Sequence, residues 1–168
     1  MKKTFRPGAV DAMFDEYERA ALEYQSLIEK ISEEDFVRVA DAATPDENCR
    51  SVQTVTAHVI MAGYAYANYL REQFSIIAKP ARLESITREN AAARLAAMLE
   101  YTERTLAGRW EMSDDEIVAT FVKTRWGGSY DLEQLLEHAI VHVLRHRRQI
   151  EKFLLNFADE DREPAASA

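Results

Sequence analysis

Residues 137–149 read EHAIVHVLRHRRQ and hold three of the four histidines of the chain, at positions 138, 142 and 146. Positions four apart on an α-helix lie about 40° apart around the axis and about 6 Å apart along it. His142 and His146 therefore project from adjacent turns of one helical face. That face also carries the apolar residues Leu135, Ala139, Ile150 and Phe153. The stretch predicts an amphipathic helix whose imidazoles point into a helical core or its mouth.

The first half of the chain has the spacing of two more amphipathic helices. Apolar residues recur at intervals of three and four over residues 10–31, which is typical of one buried helical face. Residues 32–50 carry acids, a proline and no periodicity, so we predict a connection there. Ser51 is a typical N-cap for the second helix, and its apolar stripe fades before Pro80.

The second half of the chain contains two further helices. Thr87 is the expected N-cap of the third helix, and Gly108 follows its end. Residues 117–122 (IVATFV) are predicted to form a short extended piece. Asp131 and Gln134 have the capping-box spacing that opens a last helix, which we predict to run to about residue 156.

These patterns predict an all-α fold, a four-helix bundle with two long connections. No alternation of apolar and polar residues is strong enough to predict a sheet. The long connections argue against a simple up-down-up-down topology, because short loops favour antiparallel neighbours. We expect one domain over residues 1–157 and a disordered acidic tail over residues 158–168.

Composition excludes several classes of function. The formal net charge of −8 over 168 residues argues against nucleic-acid binding, which needs a concentrated basic surface. The basic run at residues 145–148 is expected to be a solvated helix face. The single cysteine, Cys49, excludes an internal disulfide framework and fits a reducing compartment. We find neither a signal peptide nor an apolar run of membrane-spanning length, and we expect a cytoplasmic protein without membrane contact.

The fourth histidine strengthens the interpretation of the other three. His58 lies between Val55 and Ala62, on the apolar face of the second helix. All four imidazoles are thus predicted to face the bundle interior, where burial without partners would cost roughly a few kcal/mol each. The alternative is a set of core histidines satisfied by the protein itself. A shared divalent ion is favoured, because neutral imidazole is a common metal ligand. The metalloprotease pattern H-E-x-x-H does not apply, since Val143 follows His142.

At these residues the chain resembles the DinB/YfiT-like superfamily of metal-binding four-helix bundles, over about residues 10–157. The second helix carries the early histidine of that superfamily, His58. The most specific pattern, H-x3-H-x3-H-R-x-Q, is matched by His138, His142, His146, Arg147 and Gln149. The resemblance implies an up-down-down-up topology and one divalent ion held by His58, His142 and His146.

Three positions of the last helix need separate treatment. His138 has the spacing to replace His146 as a ligand, but the superfamily pattern favours a cavity-lining role. Gln149 would hold a water on the metal or hydrogen-bond a neighbouring helix. Arg148 stands where the superfamily usually has glycine, a departure that would close or recharge the mouth of the site.

Three neutral histidines leave a bound ion an open coordination position, the arrangement of catalytic rather than structural zinc sites. The resemblance implies a small-molecule substrate and chemistry with a low-molecular-weight thiol, such as transfer or isomerisation, with metal-assisted hydrolysis as the next choice. Zinc or nickel is expected, and manganese or iron is compatible. The alternatives are a stress-linked metal-binding bundle without catalysis and a helical dimerisation module. No general base is identifiable, and a homodimer is expected by resemblance alone.

Overall fold

The computed structural model describes residues 7–79 and 85–162 and is mostly helical. Six α-helices occur in that part of the chain: α1 (Ala9–Ile28), α2 (Glu33–Val37), α3 (Val52–Gln73), α4 (Arg88–Leu106), α5 (Asp114–Ala119) and α6 (Leu132–Glu160). A 3-10 turn (Glu47–Cys49) precedes α3, and two-residue strands β1 (Val122–Lys123) and β2 (Ser129–Tyr130) precede α6. Within the described ranges, no helix combines the length and apolar character needed to cross a bilayer.

The four long helices α1, α3, α4 and α6 share one apolar core. Helix α1 packs against α4 and α6, and α3 packs against the same two helices. Tyr24 of α1 and Thr56 of α3 are buried and share a hydrogen bond of 3.1 Å between their hydroxyl oxygens. Gly63 lets α3 approach α4 closely, because a Cβ at this position would clash with the Met98 side chain. This packing fixes the position of α3, which carries His58, relative to its neighbours.

The predicted helix starts are confirmed. The side chains of Ser51, Thr87 and Asp131 accept hydrogen bonds from backbone N–H groups three residues later, at 3.2, 3.3 and 2.8 Å. All three form capping boxes, which satisfy N–H groups that have no partner inside the helix.

Half of the segment predicted as extended, residues 117–119, is helical, so that prediction was wrong for these residues. Helix α5 covers Asp114–Ala119, and only Val122 lies in a strand. Ser113 caps α5, and three acids occupy its first turn, where the helix dipole favours negative charge. Strands β1 and β2 form a small antiparallel hairpin that the sequence patterns did not predict. Its turn is closed by the Thr124 N–H, which donates to the Gly128 carbonyl at 2.9 Å.

The last helix is longer than predicted. Residues 158–160 continue α6 instead of beginning a disordered tail, and residues 163–168 of that predicted tail lie outside the described residues. The guanidinium of Arg38 explains the extension. It donates to Glu160 at 2.7 Å and to Asp161 at 3.0 Å, and it lies 4.4 Å from the centre of the Phe157 ring. This long-range contact cannot be inferred from periodicity within one helix.

The N-cap of α6 provides a stability test. Asp131→Ala removes the acceptor for the Gln134 N–H and is expected to cost about 1 kcal/mol. For a domain of this size the melting temperature should fall by about 2–4 °C. Asp131→Ser retains a capping oxygen and should melt close to the wild type. Thermal unfolding followed by circular dichroism gives the comparison. Equal melting of the alanine variant and the wild type would contradict a role for this cap.

Candidate metal centre

Helices α3 and α6 bring three histidines together. His58 comes from α3, and His142 and His146 come from adjacent turns of α6. One ring nitrogen of each lies within 4.8 Å of those of the other two. His142 and His146 are 6 % and 3 % exposed, and His58 is half-buried. The structure therefore assembles, from residues 84 positions apart, the three side chains that the sequence grouped as candidate ligands.

The distance between two of the three nitrogens matches that expected around a single ion. The Nε2 atoms of His58 and His142 are 3.1 Å apart. Two nitrogens bound to one tetrahedral zinc at 2.0–2.1 Å would be about 3.3 Å apart. A hydrogen bond between the two rings is the other explanation of this distance. It would leave Nε2 of His146 and Nδ1 of His142, both buried, without any hydrogen-bond partner in the described part of the chain. An ion supplies a partner for the Nε2 atom of His146 as well.

Gln149 orients one of the rings. Its side-chain oxygen lies 2.8 Å from Nδ1 of His146. An amide oxygen only accepts hydrogen bonds, so Nδ1 of His146 must carry the proton, and its Nε2 keeps a free lone pair. Metal-binding histidines commonly donate their second N–H in this way, which fixes the ring and makes it a better ligand. The sequence suggested a water or a neighbouring helix as the partner of Gln149, whereas the contact lies within α6.

Burial keeps the cluster neutral. It is the largest cause of the lowered pKa of His58, His138, His142 and His146. The pKa of His142 falls to about 3, through burial and then through the neighbouring charges of His146, His58, Arg145 and His138. Neutral imidazole is the form that binds metals, so the site favours the required state at neutral pH.

His138 lies outside the group of three and packs with three aromatic side chains. We call this set the aromatic wall and define it as Tyr66, Trp126, Tyr130 and His138. The Trp126 ring stacks on His138 with centres 6.0 Å apart, and Tyr66 and Tyr130 each lie 5.4 Å from it. The wall adjoins the three-histidine cluster, since the rings of Tyr66 and His142 are 5.8 Å apart. His138 is therefore beside the cluster and not part of the group whose ring nitrogens converge.

Two residues near the cluster were missed by the sequence analysis. Asp46 and Cys49 belong to the connection between α1 and α3. The charge of Asp46 acts to raise the pKa of His58 and His146, against the larger effect of burial. The Cys49 thiol donates to Asp46 at 3.6 Å and contacts the Gln149 amide, and burial raises its pKa. Residues 32–50 have no periodicity, so nothing in the sequence indicated that they return to α6.

Comparisons with known proteins identify the family. A search of curated proteins found no match. A solved structure assigned to the DinB family, from Exiguobacterium sibiricum, is similar with a TM-score of 0.61 and 20 % identity. The alignment covers 89 % of this chain and 91 % of that one, and at this identity it supports the fold alone. The model of the DinB family matches residues 1–155. The chain therefore belongs to the DinB family.

Proposed function

We propose that this protein is a divalent-metal-dependent enzyme and that His58, His142 and His146 bind its ion. The observation that carries the proposal is the convergence of three imidazoles from two helices, with the Nε2 atom of His146 buried and unpaired among the described residues. A purely structural hydrogen-bond cluster would leave that atom unsatisfied, at a cost of roughly 1–3 kcal/mol. Zinc and nickel are the ions we favour, because both accept imidazole nitrogen.

The proposed reaction is transfer or isomerisation that uses a small thiol, with hydrolysis of a small molecule as the next choice. A divalent ion with three neutral ligands supplies Lewis-acid chemistry that favours the deprotonated, nucleophilic form of a thiol or of water. The protein holds the three rings neutral by burial, and Gln149 fixes the proton of His146 on Nδ1. The aromatic wall borders one side of the cluster through the contact of Tyr66 with His142. None of these roles requires a general base from the chain.

The proposal includes the up-down-down-up arrangement of the long helices. Two contacts run in the same order along α3 and α4, which supports parallel helices: Gly63 packs on Met98, and Arg71 donates to Thr105 at 2.9 Å. Contacts between α3 and α6 run in opposite order. His58 contacts His142. Tyr66, two turns after His58 in α3, contacts His138, which lies one turn before His142 in α6. In this arrangement His58 and His142 face each other midway along antiparallel helices.

Metal analysis of protein purified without a histidine tag tests the proposal. We expect about one ion per chain, and thiol-consuming reactions that proceed without chelator and stop with it. Stoichiometric metal without turnover in any thiol or hydrolysis assay would favour the non-catalytic metal-binding alternative. Protein that takes up no ion from zinc or nickel solutions would overturn the proposal.

Substitution of Gln149 tests whether its hydrogen bond to the His146 ring contributes to metal affinity. Gln149→Leu leaves the three histidines in place but removes the acceptor of the His146 N–H. We expect the dissociation constant of the bound ion to rise on the order of tenfold, as for other residues that orient a metal-binding histidine. Gln149→Glu keeps an acceptor and should bind metal at least as tightly as the wild type. Competition with a chromophoric chelator measures the change. Unaltered affinity in the leucine variant would show that this contact does not support the site.

A further inference from the structure

Arg145 lies beside the histidine cluster and has no hydrogen-bond or ion-pair partner in the described part of the chain. It stands on α6 three residues after His142 and one before His146, and its side chain is exposed. Residues three apart on a helix are surface neighbours, so Arg145 lies next to His142. Among residues 7–79 and 85–162, none forms a hydrogen bond or ion pair with Arg145. Arg147, on the same helix, pairs with Glu23 and Glu151.

The charge of Arg145 acts on the whole cluster. Burial is the largest cause of the lowered pKa of the four histidines, and Arg145 lowers it further at each of them. One charge can affect four rings only from a position close to all of them. The spacing on α6 agrees with this, since the exposed Arg145 follows His142 by three residues and precedes His146 by one, which puts it at the solvent-facing edge of the cluster.

Metal binding alone does not account for this charge, because a cation that favours neutral imidazoles also repels a divalent ion nearby. It is also not neutralised by the nearest acid that acts on the cluster. The oxygens of Asp46 accept hydrogen bonds from Asn48 and Cys49 within their own turn, and none comes from Arg145. With an ion bound, the site would be positive on a chain whose formal net charge is −8. Such a local field attracts an anion.

The aromatic wall offers an apolar surface beside that charge. Trp126 is 51 % exposed although it stacks on His138, so part of its ring remains free to contact a ligand. His138 and Arg145 are seven residues apart, two turns along one side of α6. An organic anion at the mouth of the cluster can therefore meet both the guanidinium and the aromatic wall.

We propose that Arg145 determines the substrate specificity of the histidine site by binding the carboxylate of an organic anion whose planar body packs on the aromatic wall. The inference rests on the proposed function, because it names the substrate class of the same site. Guanidinium suits the task, since its planar fork donates two parallel hydrogen bonds to a carboxylate.

The test compares phenylacetate with its neutral isostere phenylacetamide. Isothermal titration calorimetry gives both dissociation constants, on metal-free and on zinc-loaded protein. In the wild type, phenylacetate should bind at least tenfold more tightly than the amide in both states. Arg145→Gln should remove this preference. Arg148→Gln is the matched control. The sequence pattern suggested Arg148 at the mouth of the site, but the exposed side chain starts about 60° farther around α6 than Arg145, and the charges that act on His58 and His138 include Arg145 and not Arg148. This variant should keep the preference. Zinc per chain is measured for every variant.

The outcomes separate this inference from the proposed function. A preference that survives in Arg145→Gln only with zinc present would mean that the ion holds the carboxylate, which overturns the role of Arg145 and leaves the metal site intact. Equal loss in both arginine variants, or no preference in the wild type, also overturns it. If no variant binds zinc but the preference follows Arg145, the anion site stands and the metal proposal fails.

Discussion

His142→Ala is expected to abolish stoichiometric metal binding, whereas His138→Ala should retain about one ion per chain. His142 is the central ligand candidate, because its ring centre lies 4.9 Å from that of His58 and 4.5 Å from that of His146. Its removal leaves two imidazoles on different helices and opens a cavity between them. His138, by contrast, is stacked in the aromatic wall and is absent from the group whose nitrogens converge.

The measurement is elemental analysis after dialysis, on variants whose helical circular dichroism matches that of the wild type. The circular dichroism control is needed because an alanine at a buried position also costs stability. His142→Gln, which fills the space with a polar side chain, provides a second variant if the alanine protein is poorly folded. A full equivalent of metal in His142→Ala, together with its loss in His138→Ala, would show that the ligand assignment is wrong.

The metal-free protein should remain helical at pH 7 and lose stability in acid. A chain of this size buries roughly two-thirds of its surface on folding, so the core does not need an ion. The folded pKa of His142, about 3, lies below its unfolded value of about 6.5, and the unfolded chain therefore binds the proton first as the pH falls. The stability associated with neutral His142 is complete above pH 6.5 and decreases towards pH 3. Between pH 7 and pH 5 the loss is about 2 kcal/mol.

Urea unfolding at pH 7 and pH 5, in the presence of a chelator, measures that loss. His142→Leu removes the titrating ring and should show a smaller decrease over the same interval, by about 2 kcal/mol. Carboxylates and the other three histidines titrate in both proteins, so the difference between the two proteins reports His142 together with its coupling to the neighbouring imidazoles. The same dependence on pH in both would contradict the assigned pKa. Collapse of the helical signal on chelation at pH 7 would instead indicate a site that supports the fold.

The parts of this protein that depend on local chemistry could be predicted from its sequence. Capping boxes at Ser51, Thr87 and Asp131 mark helix starts, because a side chain and an N–H three residues away decide them. The grouping of His58 with His142 also followed from helical faces. The contact of Arg38 with the end of α6 could not be predicted, because Arg38 precedes its partner Glu160 by 122 positions.

The contacts around the histidines could not be predicted from the sequence for the same reason. Asp46 and Cys49 reach the cluster through a connection without periodicity, and its course depends on tertiary contacts such as the burial of Phe36. The difference between the arginines of the basic run could not be predicted either. Only the packed structure shows that Arg147 pairs with Glu23, whereas Arg145 has no ion-pair partner among residues 7–79 and 85–162.

The separation of 84 residues between His58 and His142 has a consequence for affinity. In an unfolded chain, bringing these two side chains to one ion would cost about 4 kcal/mol of loop-closure entropy, from (3/2)RT ln n. In the folded protein the helices have already closed that loop, so the imidazoles act as a preorganised chelator. The difference corresponds to roughly a thousandfold in dissociation constant. A peptide copy of α6 has His142 and His146 but not this advantage, so the affinity expected for an ion at this centre is a property of the whole fold.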